Sequence, residues 1–94
     1  MNPSMAGRNR IFATNDADRA IAEKALAELS DLATVQVVGE QHKYLVVVAP
    51  DTEVRRWVDS FDLGHAVIEQ SSDLYGSRFL RANISVELFN ASRS

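Results

Sequence analysis

TVQVVGEQHKYLVVV, residues 34–48, holds two β-prone runs either side of a polar turn. Thr34 to Val38 alternates as a strand, Gly39 to His42 turns the chain, and Tyr44 to Val48 forms a second strand apolar on both sides. So short a polar connection predicts an antiparallel hairpin.

On the N-terminal side, Arg10 to Thr14 is a short β-prone segment. Asn15 offers an N-cap oxygen, and Asp16 and Asp18 place negative charge at the positive end of a helix dipole. Ile21, Ala22, Ala25, Leu26, Leu29 and Leu32 then recur at helical spacing, which predicts a helix from about Asp16 to Asp31. On the C-terminal side, Asp51 follows Pro50 as a candidate cap, and Val54, Trp57, Val58 and Phe61 form one apolar stripe over two turns. Gly64 is a candidate helix stop, and His65 to Glu69 a short strand. This β-α-β-β-α-β order predicts an α+β fold, a ferredoxin-like two-layer sandwich with an additional C-terminal helix or strand. For that last segment, Leu74, Leu80, Ile84 and Leu88 suit a helix, and Ile84, Val86 and Leu88 suit a strand. A helix opening near Ser72 is the favoured reading, although Gly76 disfavours it by about 1 kcal/mol relative to Ala.

The 94 residues suffice for one domain, placed at residues 10–90, with 1–9 and 91–94 read as flexible tails. Net charge is −3, which argues against a large footprint for duplex DNA or an anionic membrane. The chain has no cysteine, so disulfides, thiolate metal sites and cysteine nucleophiles are excluded. Leu45 to Pro50 falls far short of the ~20 residues of a membrane span, and Met1 to Arg10 lacks a signal peptide's apolar core. A cytoplasmic protein is expected.

Two helices cover only one face of a sheet, yet these strands are apolar on both sides. Val35 and Val37 oppose Val38, Ile11 opposes Phe12, and the strand from Tyr44 does not alternate. Something is therefore expected over the second face: the C-terminal segment folding back, or another chain. Phe12, Val38 and Tyr44 are the candidate interface residues there, with a second copy or another protein as partner. Trp57 and Phe61 are assigned to the core.

The sequence offers little for catalysis. No Gly-x-Ser-x-Gly elbow surrounds any serine, and neither His42 nor His65 has a second ligand at helical spacing. The four glycines form no phosphate cradle, and each carboxylate has a reading as cap or solvated face. No enzyme activity, metal or cofactor is expected. Tyr75, Arg78 and Arg81, around Phe79, are the one place where arginines interleave with aromatics, the pattern of a single-strand stacking platform. The same pattern describes aromatics in a core with solvated arginines.

Arg56-Trp57-Val58-Asp59-Ser60-Phe61, Gly64, Ala66-Val67-Ile68-Glu69 and Leu74 together resemble the end of a WCX domain, the C-terminal extension of WYL-type bacterial transcriptional regulators. The likeness spans about 80 residues in element order and about 25 in wording. Asp62 stands where that pattern has Gly, Gln70 or Ser71 replaces its Pro, and Tyr75 replaces its Arg. The resemblance implies a module that dimerises regulators and helps transmit an effector signal, without catalysis. The alternatives are a nucleic-acid- or ligand-sensing regulator built on Tyr75, Arg78 and Arg81, and a stand-alone inhibitor of a larger machine.

Overall fold

The computed structural model describes residues 10–61, 67–74 and 77–93. The elements run β1 (Ile11–Phe12), α1 (Asp16–Leu26), β2 (Thr34–Val38), β3 (Tyr44–Pro50), α2 (Asp51–Asp59), β4 (Val67–Leu74), β5 (Ser77–Ser85) and α3 (Val86–Ser92). The α+β class is as expected, with five strands in the order β1-β2-β3-β5-β4.

The hairpin of residues 34–48 forms as predicted, with Val35 opposite Val47 and Val37 opposite Leu45. Gly39 turns it at a φ of 99°, a left-handed conformation that side chains resist. Asn15 caps α1 through Oδ1, which accepts the Asp18 N–H at 2.8 Å. The stripe on α2 is also borne out: Val54, Trp57 and Phe61 are buried.

Several expectations are corrected. The strand order is not ferredoxin-like, because that order inserts a strand between the first two. Here β1 bonds directly and in parallel to β2, Ile11 beside Val35, with α1 as the crossover. The inserted place is unfilled because β5 pairs along the other side of β3, from Tyr44–Ser85 to Pro50–Phe79. No helix opens at Ser72. Ser71 to Leu74 end β4, which pairs antiparallel with β5 across a bulge between Ile68 and Ser71, and the last helix begins only at Val86. Ser85 fixes that start, its Oγ accepting the Leu88 N–H at 3.0 Å.

Helix α1 stops at Leu26 rather than Asp31. Beyond it, Glu28 and Leu29 donate to carbonyls three residues back, and both carboxylate oxygens of Glu53 on α2 bind Ser30, at its N–H and its Oγ. Leu32, expected on the apolar stripe, is exposed. Asp51 does not cap α2: Pro50 holds the N-cap position, and the Asp51 carboxylate accepts from Arg55 Nε at 2.5 Å. Gly64 and His65 lie outside the described residues.

One core holds the domain. Helix α1 packs on β1 and β2, α2 on β3 and β5, and α3 on β5. Helix residues Ala22, Leu26, Val54, Trp57 and Phe89 share a single buried cluster with Val35, Leu45, Val47, Leu80, Ala82 and Ile84 of the sheet. The α3 helix extends through Ala91 and Ser92, which were read as tail, and Arg93 closes the layer. Its guanidinium donates Nε to Glu28 at 2.8 Å and a terminal nitrogen to Glu28 at 2.6 Å and to Ser60 Oγ at 2.9 Å, and lies 4.3 Å from the Phe61 ring centroid. The bond to Glu28 holds the Arg93 pKa above its ordinary value. Arg93→Ala is expected to cost about 1–2 kcal/mol, from a partly buried charged hydrogen bond and a cation–π contact. Arg93→Lys should recover only part of it, because an ammonium cannot grip both oxygens of Glu28 in a planar fork. Urea unfolding midpoints of the two variants check both statements.

Candidate functional site

Because the three helices share one face of the sheet, the other face is left to the alternate residues of each strand. Its rows follow from the register. Phe12, Gln36, Val46 and Asn83 form one row across β1, β2, β3 and β5. Thr34, Val48 and Arg81 form the next, and Val38, Tyr44 and Ser85 the row on the other side. Phe12 is 55% exposed and Tyr44 45%, Val38, Val46 and Val48 are half-buried, and Gln36 and Arg81 are exposed. At the corner beside Pro50, Phe79 is buried outside the helix-side core.

The three interface candidates from the sequence, Phe12, Val38 and Tyr44, thus fall on one face. Val46 and Val48 belong with them and were missed, although they share the parity of Tyr44. Asn83 was also missed: its Oδ1 is buried and without a hydrogen-bond partner. No local pattern announces it, since its place depends on the pairing of β5 with β3. Of the candidates for single-strand binding, Arg78 and Arg81 do not come together. They are three apart on one strand, so they point to opposite faces of the sheet. Tyr75 lies outside the described residues.

At one end of this face is a cleft of about 500 Å³ lined by Gln41, His42, Lys43, Tyr44, Ser85, Val86, Glu87 and Asn90. Lys43 is fixed there: its Nζ donates to the buried Asp18 at 2.6 Å, and its carbonyl accepts the Val86 N–H at 2.9 Å. One residue therefore ties the hairpin turn to the starts of α1 and α3. Its ammonium is committed to Asp18, and the Ser85 hydroxyl to the cap of α3. Among the described residues, no group of three or more His, Cys, Asp or Glu side chains is placed to hold a metal ion. No described helix is long and apolar enough to cross a membrane.

No protein-family model, curated protein or solved structure matches the chain.

Proposed function

We propose that the protein is a non-enzymatic association module that binds another polypeptide through the open face of its sheet. The observation that carries this reading is the placement of α3. The C-terminal helix was one of two candidates to cover the second apolar face, and it packs instead with Trp57 and Phe61 on the helix side. That leaves Phe12, Val38, Tyr44, Val46 and Val48 without a cover among the described residues. An apolar patch within a polar surround is the usual mark of a protein contact. The resemblance to the WCX part of WYL-type regulators supports the same reading and extends it to transcriptional control in a bacterial cytoplasm.

Capture of the full-length chain from lysate of its source cells, with and without nuclease, tests it. The expected result is protein retained after nuclease and at high salt, and lost from the Phe12→Ser, Tyr44→Ser variant. Retention that disappears with nuclease, or that weakens steeply with salt, would instead mark a nucleic-acid contact. Among the described residues, Arg81 is the candidate cation for such a contact on this face.

A further inference from the structure

The geometry points to a second copy of this chain as the occupant of the open face, stacked sheet on sheet about a two-fold axis that runs along β3. This inference rests on the association reading above and adds the partner and its orientation.

Three observations carry it. First, β3 is the middle strand of five, with β2 and β1 on one side and β5 and β4 on the other. A half-turn about β3 lays β2 over the partner's β5 and β1 over its β4, so the central rows of the two copies cover each other, while the corner at the buried Phe79 lies outside the contact. Such self-matching is what an isologous contact requires.

Second, the side chains complement one another under that rotation. Gln36 and Asn83 flank Val46 in the same row, one strand to either side. The half-turn sets each Gln36 over the Asn83 of the other copy, where their carboxamides can each donate and accept. The Asn83 oxygen, which has no partner among the described residues, turns outward by rotation about χ2, a broad torsion for an amide. Thr34 falls over Arg81 and Val38 over Ser85. Valines 46 and 48 meet their own counterparts on the axis, and Arg81 meets no like charge.

Third, β1, β2, β3 and β5 contain no carboxylate at all, in a chain with 13 Asp and Glu and a net charge of −3. The charge that would repel a second copy is kept off these four strands and, within the sheet, confined to Glu69 and Asp73 of the edge strand β4, as at the rim rather than the centre of an interface. In plan, strands of 2, 5, 7, 8 and 9 residues, rising about 3.3 Å a residue and lying about 4.8 Å apart, present roughly 500 Å². Side-chain relief brings this toward the lower end of specific interfaces, so micromolar dimerisation is expected.

Sedimentation equilibrium of the full chain, from about 1 to 500 µM, reads the dimer directly. The expected result is a concentration-dependent dimer that Val46→Lys weakens at least about 100-fold, since two ammonium groups then meet on the axis. Far-UV circular dichroism verifies that the variant is folded. The absence of native cysteine allows a second readout. Stacked sheets lie about 10 Å apart, within reach of a short bis-maleimide. An equimolar mixture of the Gln36→Cys and Asn83→Cys variants should cross-link to a covalent dimer, and neither variant should do so alone.

A chain that stays monomeric throughout overturns the inference. So does a dimer indifferent to Val46→Lys, or cross-linking within either single variant. Where the chain is monomeric, the capture experiment separates the two readings. Capture of another protein that Val46→Lys abolishes leaves the association reading standing and removes the second copy. Capture unaffected by Val46→Lys removes both.

Discussion

The Trp57→Ala variant is expected to melt roughly 15–30 °C below the parent, or to lose cooperative unfolding altogether. Trp57 is 4% exposed, on the inner side of α2. Its ring meets Phe61 edge-on at 4.8 Å between centroids and lies 6.3 Å from Phe89, which belongs to α3. The three rings therefore join α2 to α3 over β5, and truncating one removes both a large apolar area and the surface the other two rest on. Loss of a buried aromatic to alanine costs about 3–5 kcal/mol. A domain of this length has on the order of 5–14 kcal/mol in total. At about 4–8 °C per kcal/mol for small domains, the lower part of that range gives the stated shift. Trp57→Phe is the control. The indole N–H is buried without an acceptor, so removing it forfeits no hydrogen bond, and the variant should lose less than about 1.5 kcal/mol. Thermal circular dichroism of both variants decides the point. Trp57→Ala melting within about 5 °C of the parent would show that the ring does not join these layers.

Gly39→Ala should be nearly as damaging for a wholly local reason. The residue sits at φ 99°, where an L side chain costs about 1–3 kcal/mol, and a Cβ built there overlaps the carbonyl oxygen of His42. That carbonyl belongs to the backbone of the turn and cannot swing aside as a flexible side chain would. The hairpin must therefore reopen, which also disturbs Lys43 and its hold on Asp18 and Val86. Chemical denaturation should show a lower midpoint with an unchanged slope, the sign of lost stability without a change in surface exposed. An unchanged midpoint would mean that the turn tolerates a side chain.

The parts of the fold legible in the sequence are those that neighbouring residues determine. The hairpin was readable because Gly39 and its polar neighbours separate two β-prone runs. The α2 stripe was readable because Val54, Trp57 and Phe61 repeat at one period. The last 20 residues were not, and the reason is arithmetic. Leu80, Ile84 and Leu88 are spaced by four, which fits a helical face and also falls on every second position of a strand. The deciding interaction is the pairing of β5 with β3, and no local period encodes it. The same long-range pairing sets the strand order and brings Asn83 beside Val46. The end of α1 was hidden for a related reason, since Glu53 reaches Ser30 from 23 residues away. Of the open face, Phe12, Val38 and Tyr44 were readable from alternation, while the adjacency of four strands free of carboxylates follows from which strands are neighbours.

The grip of Arg93 on Glu28 and Ser60 has a practical consequence for anyone who handles the protein. Because that residue is pinned to the helical layer, a tag, fluorophore or fused domain attached after Ser94 departs from the side opposite Phe12 and Tyr44. A label joined ahead of Arg10 instead enters at β1, the edge strand that carries Phe12. Immobilisation through the C-terminal end therefore leaves the sheet facing solution, whereas attachment at the other end crowds the surface under test.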